Sequence, residues 1–120
     1  VPGDTGLKLS DLVNQLVIDP RKLTEYALDP TSTRGRDKAI VFEQVLGYTK
    51  ENYAELLRQL EEKCPDAEAS VHRAIDQGIL YRVDVLIHGK TDKQAMVRTG
   101  WIIRPGTNVA RLTTVYVLRK

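Results

Sequence analysis

In 120 residues the chain holds one cysteine, one methionine, one tryptophan, one phenylalanine and two histidines. A lone Cys64 makes no internal disulfide, and with only two histidines the Cys/His ligand sets of ordinary zinc sites have too few members. Metal and redox chemistry are therefore not expected, and no cofactor is expected either. Long apolar runs are also missing. The longest uncharged stretches, such as Leu12 to Ile18, contain Asn14 and Gln15 and fall far short of the roughly 20 residues that a membrane span needs. No basic-then-apolar leader opens the chain, so no signal peptide is expected. The standard catalytic signatures are absent too: no glycine-rich phosphate loop before a helix, no G-x-S-x-G elbow and no H-E-x-x-H.

What is present describes a single soluble domain of residues 1–120, with 42% hydrophobic and 28% charged residues. The formal net charge of +2 conceals a split. Residues 1–78 carry 10 Lys/Arg against 14 Asp/Glu, net −4, whereas residues 79–120 carry 8 against 2, net +6. One face suited to a polyanion and another that is merely solvated would produce this division, and so would chance clustering on an ordinary surface. Residues 1–8 open at Val1 with Pro2-Gly3-Asp4-Thr5-Gly6, a leader loop, and a piece of a larger polypeptide is expected.

Residues 9–78 read as mainly helical. Leu9, Leu12, Val13, Leu16 and Val17 recur at helical spacing up to Pro20, and Asp19-Pro20 starts a second short helix whose buried side is Leu23, Tyr26 and Ala27. Thr31 to Gly35 is a loop. From Arg36 a third helix places Ala39, Phe42, Val45 and Leu46 on one face and stops at Gly47. A fourth runs from a Thr49 cap to Lys63 with Tyr53, Leu56, Leu57 and Leu60 inward, and ends at Pro65. Asp66 to Gln77 is either weak helix or ordered loop. After Gly78 the period changes to two: Ile79 to His88, Ala95 to Arg104 and Ala110 to Arg119 are strands joined by short polar turns, a meander. The expected fold class is α+β, with the N-terminal helices packed on a C-terminal antiparallel β-sheet.

Three places are equipped for chemistry. Arg34, Arg36 and Lys38 stand at a loop-to-helix junction, where cations and backbone N–H groups together suit a phosphate; solubilising charges would look the same. Thr99-Gly100-Trp101 sets the only tryptophan beside a strand glycine, with Arg98 and Arg104 close in sequence. Trp101 is either core, with Ala95, Val97 and Ile103, or a ring that stacks a nucleic-acid base, which would need a bulge at Gly100. On the third strand Arg111 alternates with Thr113, and Thr114 shares a face with Leu112 and Tyr116. His88 at a strand end is a candidate for moving protons, and His72 reads better as a surface residue.

The segments Gly35 to Phe42, Thr99 to Gly106 and Arg111 to Val117 resemble a small bacterial domain of polymorphic toxins. The arrangement as a whole resembles the barnase, EndoU, colicin and RelE superfamily of ribonucleases, in particular colicin D-like tRNases and the C-terminal toxin domains of contact-dependent inhibition proteins. The resemblance covers roughly residues 20–118. It implies a metal-independent endoribonuclease in which Lys38, Thr99 and Trp101 match the lysine, hydroxyl residue and tryptophan of the colicin D-like pattern. The histidine of that pattern has no counterpart, since Val41 stands three residues after Lys38. On this footing the expected catalytic residues are Lys38, Thr99, Trp101 and His88, and the expected substrate-binding residues are Arg36, Arg104, Arg111 and Thr114. The implied partners are RNA, tRNA first, and a cognate immunity protein that is acidic where it covers the sheet. The resemblance further implies export as the C-terminal part of a larger bacterial protein and action in the target cell's cytoplasm. The competing expectation is a non-catalytic RNA- or protein-binding module with a basic sheet face.

Overall fold

The structure, a computed structural model, describes residues 7–118. Its strands are β1 (Gln15–Val17), β2 (Ala69–Ile75), β3 (Gly78–His88), β4 (Gln94–Ile103) and β5 (Val109–Val117), which form one sheet in the order β1-β5-β4-β3-β2. Neighbours from β2 to β5 are antiparallel, and β1 joins β5 in parallel. The helices are α1 (Leu9–Leu12), a π turn (Leu23–Ala27), α2 (Arg36–Leu46) and α3 (Tyr53–Lys63), followed by a 3-10 turn (Cys64–Asp66). The α+β class, the meander and the helix-first order agree with the sequence reading.

Alternation along the strands explains the layering. Val83, Val85 and Ile87 of β3, Val97 and Trp101 of β4, and Val115 and Val117 of β5 all point to one side and are buried. Against them pack Leu23, Phe42, Leu46, Leu56 and Leu60 from the helical layer. Each large apolar side chain removed from water here stabilises the fold by roughly 1.5–3 kcal/mol. The residues between them, Leu80, Arg82, Asp84 and Leu86 on β3 and Met96, Arg98 and Gly100 on β4, point to the other side. Cross-strand pairing aligns Arg82 with Gly100 and Thr114, and Asp84 with Arg98 and Tyr116. No helix covers this open face at Leu86 and Met96, which stay 41% and 42% exposed.

Two segments differ from the sequence reading, so residues 9–78 are not mainly helical. The expected helix from Leu9 to Val17 ends after one turn. Val13 adopts extended backbone (φ −139°, ψ 159°), and the Asn14 and Gln15 N–H groups then donate to the Asn108 carbonyl, which starts β1. Tertiary pairing overrides the helical spacing there. Asp66 to Gln77 contains β2, an edge strand whose Val71 to Ala74 are exposed, so its sequence lacks the alternation that marks a half-buried strand. Helix α3 also begins four residues later than the Thr49 cap suggests.

The free edge of β3 beyond the end of β2 is closed by helix side chains. The Gln59 amide meets the His88 peptide on both sides, its Oε1 accepting from the His88 N–H (2.8 Å) and its Nε2 donating to the His88 carbonyl (2.7 Å). Lys63 Nζ donates to the Leu86 carbonyl (2.6 Å). A buried glutamine thus stands in for a neighbouring strand, satisfying backbone groups that would otherwise be costly.

Candidate functional site

Two irregularities in the sheet shape the open face. Val71 pairs with Tyr81 and Arg73 with Leu80, so His72 is an extra residue on β2. Gly100 pairs with Thr114 and Trp101 with Leu112, so Thr113 is an extra residue on β5. Bulges re-aim side chains and sharpen local twist. Here both extra residues line one cleft of about 440 Å³, together with Arg34, Arg73, Arg82, Arg98, Gly100 and Tyr116. Gly100 makes room for the second bulge: a Cβ at that position would lie 2.7 Å from Thr114 Cγ2 and 3.2 Å from Thr113 Oγ1.

The wall beside β5 comes from the helical layer. β1 borders β5 only at Val109 to Arg111, and α2 and the π turn pack along the strand. From α2 the half-buried Lys38 extends to the open side, where its Nζ donates to Tyr26 Oη in a short contact and reaches Thr114 Oγ1 at 3.5 Å. It also lies 4.6 Å from the Tyr26 ring centroid and 5.6 Å from that of Tyr116. Gly35 permits this meeting, since a Cβ there would fall 1.8 Å from the Tyr26 carbonyl oxygen. The start of α2 is therefore pressed onto the π turn, and Lys38, one turn later, arrives at Tyr26.

Electrostatics tune two groups. Burial tends to raise the Tyr26 phenol, but hydrogen bonds with Lys38 and Thr114 and the charges of Lys38 and Arg34 outweigh it, and the net shift is below the ordinary value of 10. His72 is held below its ordinary 6.5 by desolvation and by the nearby charges of Arg82, Arg73 and Arg98. Its Nε2 lies 3.4 Å from an Arg82 guanidinium nitrogen. Arg98 is fixed by a two-point pair with Asp84 (2.9 and 3.0 Å), whereas Arg34, Arg73 and Arg82 form no ion pair among the described residues. The cleft thus presents uncompensated guanidinium groups beside a hydroxyl, an ammonium and an acidified phenol.

Of the residues expected from sequence, Lys38 and Thr114 are brought together here. Thr99 and Trp101 are a correction: both are fully buried on the helix-facing side. The Trp101 indole N–H donates to Thr99 Oγ1 (2.7 Å), whose hydroxyl donates to the Val83 carbonyl (2.7 Å), and the Cys64 sulfur lies 3.9 Å from the same oxygen. The bulge that would have turned the tryptophan outward sits on β5 instead, leaving the alternation of β4 intact. His88 is a second correction, lying six residues along β3 from Arg82, roughly 20 Å at the rise of a strand, where its backbone engages Gln59 and Tyr48. Arg36 and Arg104 are exposed and line neither this cleft nor its neighbour. Arg111 lies on the open face, level with Ile102. Tyr26, His72, Arg73 and Arg82 were missed, because their place depends on the two bulges and on the contact at Gly35.

A cationic cleft on the open face of an α+β sheet, with a tyrosine–lysine pair at its wall, defines the class of the site as one for a phosphorylated ligand. Residues 8–119 match the protein-family model described as a domain of unknown function, DUF6883, and the chain belongs to that family. No curated protein and no solved structure matches the chain. No helix among the described residues is long and apolar enough to cross a membrane.

Proposed function

We propose that the protein is a metal-independent endoribonuclease whose active site is the Tyr26–Lys38–Thr114 cluster at the arginine-lined cleft. The observation that carries this reading is the hydrogen bond between the Lys38 ammonium and the Tyr26 phenol, beside a threonine hydroxyl and Arg34. Ionised Tyr26 takes the proton of a ribose 2′-hydroxyl, whose oxygen bonds the adjacent phosphorus as the bond to the 5′-oxygen breaks. Lys38 gives a proton to that departing oxygen. Transfer from Tyr26 to Lys38 across their hydrogen bond restores both groups, and the products are a 2′,3′-cyclic phosphate and a 5′-hydroxyl. Arg34 and Thr114 hold the non-bridging oxygens, which gain charge in the transition state, the kind of stabilisation that dominates such reactions.

The toxin resemblance adds tRNA as the first substrate to test. It also adds delivery within a larger bacterial protein into a target cell, and a cognate inhibitor that is acidic where it covers the cleft. Charge pairing of that sort mainly accelerates association, which slows as salt rises. Purified protein incubated with total RNA in EDTA tests the activity. Discrete fragments support the nuclease, RNA that is shifted but intact favours the binding module, and RNA that is neither cut nor shifted contradicts both.

A further inference from the structure

The 440 Å³ cleft does not end at Arg34. A second groove of about 340 Å³, lined by Asp19, Arg21, Lys22, Glu25 and Tyr26, shares Arg34 and Thr113 with it. The shared wall lies beside the Tyr26–Lys38 pair. Along this path the cations that form no ion pair fall in three groups: Arg73 and Arg82 at one end, Arg34 with Lys38 in the middle, and Lys22 at the other. Arg21 belongs to Asp19, which takes it in a two-point pair.

We infer that the site binds a single-stranded RNA segment spanning three consecutive phosphates, the middle one at Arg34 and Thr113 and its neighbours at Lys22 and at Arg82–Arg73. This rests on the nuclease reading for the identity of the middle phosphate. A single strand follows from the shape of the site. Each groove holds about one nucleotide, the floor between them is the backbone of Gly100 under two threonines, and Tyr116 and His72 offer ring faces to unstacked bases. A duplex is instead recognised across successive grooves over a span of about 16 base pairs, which a domain whose longest extent is 36 Å, with its cations sunk in a cleft, does not present.

The test uses a 12-nucleotide RNA with 2′-O-methyl riboses, which lacks the attacking hydroxyl, alone and annealed to its complement, with binding followed by fluorescence anisotropy across a salt series. Three phosphates on a single strand predict a slope of log K against log[salt] of about −2, at roughly 0.7 per phosphate. Lys22→Ala and Arg82→Ala should each make it shallower by about 0.7, and the duplex should bind at least tenfold more weakly. Equal binding of strand and duplex, no binding, or slopes that neither variant changes would overturn the inference. Cleavage of the unmodified strand separates the two ideas. Binding as described with no cleavage sinks the nuclease alone, and cleavage of strand and duplex at equal rates sinks the three-phosphate footprint alone.

Discussion

Thr99 and Trp101 illustrate how one hydroxyl decides the role of its neighbours. The Thr99 oxygen serves as acceptor for the buried indole N–H and as donor to a strand carbonyl, so removing it leaves the indole donor with no partner in the core. Thr99→Val is expected to cost about 1–3 kcal/mol and Trp101→Ala about 3–5 kcal/mol, read from denaturant unfolding, while variants of the exposed Arg36 or Arg104 stay near wild type. A Trp101→Ala protein that melts like wild type would return the ring to the surface. Cys64, packed against the same hydroxyl, has its thiol pushed up to about 12 by burial and is unreactive in the folded state. Tyr26 provides the pH signature of the site. Its phenol lies below the ordinary value, so the fraction of ionised base, and with it the cleavage rate, should rise with pH and level off below pH 10. Tyr26→Phe should remove that limb, and a profile identical in wild type and variant would exclude the phenol as base.

At the scale of elements, the site is made by departures from regular structure. A regular β2 would have no extra residue at His72, and a regular β5 would have none at Thr113. The close fit of the β5 bulge over Gly100 makes a specific double-mutant prediction. Gly100→Ala forces its new methyl against Thr114 Cγ2 and should destabilise by about 1–3 kcal/mol, as overpacking does. Adding Thr114→Ser removes the clashing methyl and should recover part of the loss, with a coupling energy of about 1 kcal/mol in a thermodynamic cycle. Strictly additive changes would mean that the bulge is not packed over Gly100. Strands β3 to β5 and helices α2 and α3 could be read from the sequence because their apolar periods match their burial. The three residues of β1 are too few to show a period, and β2 is an exposed edge interrupted by its bulge. Lys38 was readable as a cation misplaced near a helix N-terminus, and Thr114 as a strand hydroxyl among basic residues. Tyr26 was hidden because its twelve-residue separation from Lys38 acquires meaning only through the close approach at Gly35.

For the whole molecule, the charge split along the sequence maps imperfectly onto space. The basic C-terminal third supplies Arg82, Arg98 and Arg111 to the open face, but Arg34, Lys38 and Arg73 come from the acidic two-thirds, whose carboxylates lie elsewhere, as on α3, where Glu55 and Glu62 pair with Arg58. The cleft is therefore more cationic than either segment of sequence suggests. Folding gathers its charges from both. The central claim, that the Tyr26–Lys38 pair at this cleft cleaves RNA without a metal, is tested most directly by the chemistry of the ends it leaves. Wild-type protein, Lys38→Ala and Tyr26→Phe would each be incubated with a defined RNA in EDTA, and the product termini identified by mass. The account predicts 2′,3′-cyclic phosphate and 5′-hydroxyl ends from wild type, formed on the order of a hundredfold more slowly by Lys38→Ala, as expected for roughly 3 kcal/mol of lost transition-state stabilisation. Ends of another kind, no cleavage by wild type, or an undiminished rate in Lys38→Ala would contradict it.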